Sequence, residues 1–252
     1  MNKLIATIVS VYALAVSGAP SAVAQDLSKA KAAPVDMRMC NFREGKTMAD
    51  LDKFTAKFRA YANKENAHYS AWTLTPEFET EIGYDVIWMG AWPDAEAYGT
   101  STEKWNAEGH QIAALFQEAV DCGGHTMFAS LPINAPEGTP EDGLWMSWQC
   151  TLNEDVTIDQ AYKAHLDAGL VMKGMGSLAV SWFFQPMMGT GNIDYDYTHV
   201  TAFYRYSDLG ATMEMFLNNQ GRVEQQKILA KVSSCETPNL FDAVSVRARD
   251  EV

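Results

Sequence analysis

The sequence predicts an α+β protein made of two tandem copies of one βαββαβ unit behind an export signal. Three observations predict it: a self-match at a fixed offset, four cysteines placed symmetrically in that match, and an N-terminus laid out like a secretory leader.

Displaced by 110 residues, the chain places Cys40 on Cys150, Glu44 on Glu154, Thr47 on Thr157, Trp72 on Trp182, Pro76 on Pro186 and Thr80 on Thr190. With small insertions the match runs on to Cys122 and Cys235. Identity is sparse, so this is an old duplication rather than a solenoid array. The stretch Pro132–Gly143 carries Pro132, Pro136 and Pro140 with Gly138 and Gly143, the composition of a linker. Residues 35–133 therefore form the first unit, 134–143 the linker and 144–252 the second unit.

Each unit gives the same order of elements. In the first, a strand over Val35–Phe42 precedes a helix opening at Thr47, where Leu51, Phe54, Phe58 and Tyr61 recur at helical spacing. Strands follow over His68–Pro76 and Gly83–Trp92, the second ended by Pro93. One long helical region over Asp94–Asp121 and a strand over Thr126–Ile133 complete it. The second unit reads as strand Leu144–Leu152, helix Thr157–Lys173, strands Leu178–Pro186 and Tyr197–Tyr206, helix Asp208–Val232 and strand Leu240–Arg247. The order is the split βαβ, or ferredoxin-like, arrangement.

Residues 1–24 combine Lys3, an apolar run from Leu4 to Val16, a break at Gly18 and Pro20, and the ending Ala22-Val23-Ala24. This predicts a signal peptide cleaved after Ala24, a tail over 25–34, and a periplasmic or secreted protein. No later run is long and apolar enough for a membrane span. Against 32 acidic residues stand 19 Lys and Arg, a net charge of −13, which argues against nucleic acid or anionic lipid as partners.

Four cysteines in an exported chain allow three pairings. In a ferredoxin-like sheet the first and last strands are antiparallel neighbours. Cys40 and Cys150 sit near the ends of first strands, and Cys122 and Cys235 precede last strands, so Cys40–Cys122 and Cys150–Cys235 follow if the Cα atoms come within ~4.4–6.8 Å.

The tandem units resemble the dimeric α/β-barrel superfamily, which includes NIPSNAP-type proteins, antibiotic-biosynthesis-type monooxygenases and haem-binding chlorite dismutases. The segment Met89–Tyr98 is similar to the strand-to-helix junction of the NIPSNAP and monooxygenase types. The resemblance implies two four-stranded sheets packed face to face with helices outside, a pseudo-dimer within one chain that acts as a monomer or assembles further. One scaffold hosts unrelated chemistries, so the fold transfers no reaction.

Trp72, Trp88, Trp148 and Trp182, all on strands, are candidates to line an aromatic barrel interior for a small apolar ligand. Arg38 joins them, because a charge in a first strand needs a partner or a polar cavity. No histidine pair has metal-ligand spacing, and each of the five histidines reads as an ordinary surface or hydrogen-bonded residue. His165 and His199 are the candidates for a base or a haem axial ligand, with Arg205 beside His199 on a strand facing the interior. Three functions follow: a binder of a small apolar or aromatic molecule, a cofactor-free or haem-dependent monooxygenase-like enzyme, and an interaction scaffold.

Overall fold

The computed structural model describes residues 30–79, 83–136 and 139–249. The signal peptide assigned to residues 1–24, Thr80 of the repeat and Gly138 of the linker lie outside them.

Strand β1 (Ala33–Phe42) leads to α1 (Met48–Lys64), β2 (Ser70–Phe78), β3 (Val86–Ala91), α2 (Ala95–Glu108), α3 (His110–Ala119) and β4 (Val120–Asn134). The second unit repeats the order with β5 (Gly143–Leu152), α4 (Ile158–Gly174), β6 (Val180–Met188), β7 (Tyr197–Phe203), α5 (Tyr206–Asn218), α6 (Gly221–Leu229), β8 (Ser233–Cys235) and β9 (Asn239–Arg247). The strands run β7-β6-β4-β1-β3-β2-β9-β5, and pairing of β5 with β7 closes them into an eight-stranded antiparallel barrel. Two ferredoxin-like sheets are thus joined along both edges, at β4–β6 and β2–β9. Closure leaves no unpaired edge in the barrel.

Local chemistry repeats with the topology. Thr47 and Asp50 form a capping box on α1, and Thr157 and Gln160 form one on α4. Asp85 accepts from the backbone N–H of Phe42 at 2.7 Å, and Asp196 does the same for Leu152 at 2.7 Å. The disulfides Cys40–Cys122 and Cys150–Cys235 join directly paired positions of neighbouring strands, with Cα–Cα separations of 3.9 and 4.0 Å. Both bridges cross the sheet at strand partners, and both separations fall below the expected range.

Several boundaries differ from the sequence reading. The long helical region of each unit is broken in two, at Gly109 in the first and at Asn219–Gln220 in the second. A Cβ at Gly109 would press into Trp105, and Gln220 adopts φ 70°, the left-handed region that ends a helix. Strand β4 begins at Val120 rather than Thr126, and its counterpart is split into β8 and β9 by Glu236-Thr237-Pro238, where proline supplies no N–H to the ladder.

Strand alternation sends one set of side chains inward and the other under the helices. Val35, Met37, Trp72, Leu74, Phe128 and Phe241 belong to the barrel interior. Leu51, Phe54 and Phe58 of α1 cover Cys40, Val86 and Trp88 on the outer face of the first unit. Ala161, Tyr162 and Leu166 of α4 cover Cys150, Phe183 and Tyr197 in the second.

Candidate functional site

The outer face of the first unit is not closed by its helices. A cavity of about 440 Å³ lies between α1, α2 and α3 on one side and β1, β3 and β4 on the other. Its aromatic wall is built around Trp88, whose ring meets Phe54 and Phe58 with centroids 5.3 Å away in each case. Trp92 at the end of β3 contacts Tyr69 at 4.7 Å and Tyr98 of α2 at 4.9 Å.

Tyr69 occupies this place because residue 90 is glycine: a Cβ there would overlap the phenol. The Tyr69 hydroxyl accepts a hydrogen bond from Trp88 Nε1 at 2.8 Å. Its loop is held by the second unit, since Arg247 of β9 donates to Asn63 Oδ1 at 2.6 Å and to the carbonyls of Ala67 and Tyr69. Burial, followed by the charge of Asp36, pushes the Tyr69 phenol well above its ordinary value, so it stays protonated.

The polar side of the cavity comes from alternate residues of β1 and from β4. Asp36 and Arg38 point outward two residues apart, and Arg38 pairs in register with Trp88 and with His125. His125 Nε2 lies 2.7 Å from Asp36 Oδ2, and Arg38 Nε lies 3.9 Å from the same oxygen. The Asp36 side chain is only 7% exposed. Opposite, Lys104 of α2 and Glu65 after α1 pair at 2.6 Å; that hydrogen bond lowers the Glu65 carboxyl and raises the Lys104 amine.

Three residues of the lining hold a buried polar atom without a hydrogen-bond partner: Asp36 Oδ1, Tyr61 Oη and Trp92 Nε1. Buried polar groups are nearly always satisfied, and each exception calls for a reason. Together they offer an acceptor, a donor–acceptor and a donor.

Of the residues singled out in the sequence, Arg38 and Trp88 line this cavity. Trp88 therefore faces the helices rather than the barrel interior. Trp148 likewise faces outward, under the helices of the second unit. The strand of Trp88 is apolar on both faces, so alternation alone could not orient it. Trp72 and Trp182 do face inward, where with Trp145 and Phe184 they line a smaller cavity of about 270 Å³ at one end of the barrel. The linker crosses its mouth, with Trp72 Nε1 donating to the Pro140 carbonyl at 3.1 Å.

His165 and His199 lie in the second unit's helix–sheet interface, not in the barrel. Their rings are 4.5 Å apart, Trp148 stacks on His199 at 5.1 Å, and Phe183 and Tyr197 stack at 4.2 Å beside them. His165 is 2% exposed, and its Nε2 meets the Tyr197 hydroxyl at 2.9 Å, which in turn meets Ser233 Oγ at 2.6 Å. Burial lowers both imidazoles, His199 to about 4. Arg205 is not on a strand, because β7 ends at Phe203; it precedes α5, largely exposed, and pairs with Asp208 at 2.6 Å.

Asp36, Tyr61 and His125 are the site residues that sequence reasoning missed. The signal that could have found Asp36 is its position two residues from Arg38, on the same strand face. His125 needed the register of β1 against β4.

No protein-family model matches the chain, and no curated protein sequence matches it. Solved structures do. A candidate chlorite dismutase superposes with a TM-score of 0.54 at 12% identity, covering 86% of this chain and 96% of its own. An anthrone oxidase-like protein gives 0.52 at 12% identity over 89% and 96%. A haem-binding protein from Thermus thermophilus gives 0.50 at 7% identity over 84% and 91%. The chain has the dimeric α/β-barrel fold of the chlorite dismutase and monooxygenase-like proteins.

Haem is named for the Thermus thermophilus protein, and it needs a ligand from the residues present here. A haem iron takes a histidine, cysteine, methionine or tyrosine ligand beside a space for the ring. All four cysteines are in disulfides, and His165 and His199 sit among packed rings with no room for a macrocycle. His165 and His199 therefore do not fit as haem ligands. Among the described residues, no group of three or more His, Cys, Asp or Glu is placed to hold a metal ion, and no helix is long and apolar enough to cross a membrane.

Proposed function

We propose that this protein is an exported binder of a small, flat, aromatic molecule, and that its ligand lies in the helix-covered cavity of the first unit. The observation that carries the reading is the set of unpartnered buried atoms, Asp36 Oδ1, Tyr61 Oη and Trp92 Nε1, on the wall of one aromatic cavity. A ligand ring stacking among Trp88, Trp92 and Phe116, with polar substituents at its edge, would satisfy them and exclude water. The cavity volume, about 440 Å³, falls in the range of small-molecule sites. The barrel-end cavity is smaller, and no residue on its wall other than Trp92, which borders both, carries such a buried unpartnered atom among those described. It is the lesser candidate.

Export rests on the leader-like residues 1–24 and agrees with two disulfides, which persist in oxidising compartments. N-terminal sequencing of the mature protein is expected to begin at Gln25.

Titration with alizarin, a planar dihydroxyanthraquinone dye, while following tryptophan emission tests the ligand site. Quenching is expected in the native protein and is lost in Ala113→Phe, which fills the cavity from α3, but kept in Trp182→Phe at the barrel end. The opposite pattern would move the ligand into the barrel, and no quenching in the native protein would end the proposal.

A further inference from the structure

We infer that His125 and Asp36 form a proton-accepting pair, and that the molecule held in the first unit's cavity carries an acidic hydroxyl on its ring. The inference rests on the ligand reading above and adds the chemistry of the ligand.

Asp36 is a carboxylate on a strand, almost wholly buried, and uses one oxygen on His125 while the other has no partner. A purely structural ion pair on a strand would be expected to satisfy both oxygens, because an unmet buried acceptor costs about 1–3 kcal/mol. The free Oδ1 therefore points to a donor supplied from outside the chain. With Asp36 ionised, Nε2 of His125 carries the proton that it donates to Oδ2, which leaves Nδ1 as the basic nitrogen. The Asp36 contact fixes the orientation of the ring and the nitrogen that is left to accept. The His125 side chain is about half exposed and lines the cavity, so a ligand hydroxyl can reach it.

The step is a proton transfer. The O–H bond of the ring hydroxyl breaks, the proton passes to Nδ1 of His125, and the electron pair stays on the oxygen as a phenolate. Asp36 stabilises the new imidazolium, and Arg38, on the same face of β1 beside His125, stabilises the phenolate. Nothing is oxidised or reduced. The other charged groups that face the cavity are Glu65 and Lys104, which neutralise each other, and the exposed His68. Tyr61 and Tyr69 are held protonated by burial and do not compete for the proton.

This chemistry selects a ligand class. A hydrocarbon ring would leave Oδ1 and His125 unused. A ring with two neighbouring hydroxyls, a catechol or a dihydroxyquinone, meets both: one hydroxyl donates to Asp36 Oδ1 and the other gives its proton to His125, while the rings occupy the aromatic wall.

Alizarin changes colour when its hydroxyl ionises, so binding and ionisation can be read separately. Tryptophan quenching reports binding, and the visible band reports charge. Bound to the native protein, the dye is expected to ionise about one pH unit or more below the free dye, a tenfold gain in its ionisation constant. His125→Phe is expected to keep quenching but return the ionisation midpoint to that of the free dye. Asp36→Asn, which keeps the shape and removes the charge, is expected to raise it part of the way. Loss of quenching in the native protein would sink the ligand reading and this inference with it. Quenching with an unshifted midpoint in the native protein would overturn the proton-accepting pair alone. So would a shift that survives in His125→Phe and disappears in Arg38→Gln, which would assign it to the arginine charge.

Discussion

Arg38 and Trp148 hold the same register position in the two units, yet one borders a cavity and the other fills it. Arg38 stands opposite Trp88, and Trp148 stands opposite His199 with the rings stacked. The helix above differs in the same sense. Leu51, Phe54 and Phe58 on α1 correspond to Ala161, Ala164 and Ala168 on α4 at the repeat offset. The bulky ridge holds α1 off its sheet, while the alanine ridge lets α4 bring His165 onto His199.

Arg38→Trp is accordingly expected to close the first unit's cavity as Trp148 closes the second. Alizarin quenching should weaken at least tenfold while the far-ultraviolet circular dichroism stays native. Undiminished binding in a folded Arg38→Trp would mean that side-chain bulk at this position does not decide which interface is hollow.

Acid should destabilise the protein through the second unit. Burial holds His199 at about 4 and lowers His165 as well, whereas both imidazoles titrate near the ordinary value of about 6.5 in the unfolded chain. Between these limits the unfolded state binds protons that the folded state refuses, so stability falls as pH drops from about 6.5 towards 4 and is level with respect to these groups above it. Thermal midpoints measured from pH 7.5 down to 4.5 should show the fall. In His199→Phe, which can still stack on Trp148, the slope should be shallower. An unchanged slope in that variant would assign the acid lability to other groups.

Much of the fold was legible because its signals are local or periodic. The offset match gave the two units, the helical spacing of Leu51, Phe54 and Phe58 gave α1, and the cysteines' places at strand ends gave the disulfide pairs. The site was less legible because it depends on which face of a strand turns outward. Trp88 alternates with Ile87 and Met89, so neither face is polar and the sequence carries no mark of direction. Asp36 and His125 are 89 residues apart and meet only through the register of β1 on β4. His165 and His199 drew notice as titratable residues, but the aromatic rings that enclose them come from three separate strands. Gly109, read as part of one long helix, lies at its break, where Trp105 leaves no space for a side chain.

Removing one disulfide should reveal how far each unit depends on its own bridge. Each closes a loop with a sequence separation above eighty residues, 82 and 85, for which chain entropy gives about 4 kcal/mol. Cys40→Ser combined with Cys122→Ser is expected to lower the thermal midpoint by on the order of ten degrees. Because the bridge sits on the outer face under α1 and α3, the same variant should weaken alizarin quenching more than the equivalent pair at Cys150 and Cys235. Equal effects on quenching would indicate that the barrel transmits the loss evenly between the units.

Gly90 supplies the last test, because the site is assembled across it. Tyr69 lies over Gly90 on the outer face of β3, with its hydroxyl on Trp88 Nε1 and its ring against Trp92. A methyl group at residue 90 cannot coexist with the phenol in that place. Gly90→Ala should therefore expel Tyr69, leave Trp88 Nε1 without its acceptor, and cost about 1–3 kcal/mol. Near-ultraviolet circular dichroism, to which Trp88 and Trp92 contribute, should change while the far-ultraviolet signal does not. Pairing it with Tyr69→Phe separates the two losses: that variant removes the hydroxyl but keeps the ring, so it should be milder in stability and retain the near-ultraviolet signal. If Gly90→Ala proves no worse than Tyr69→Phe, the strand has room beside residue 90, and the glycine is not what admits the tyrosine to the cavity wall.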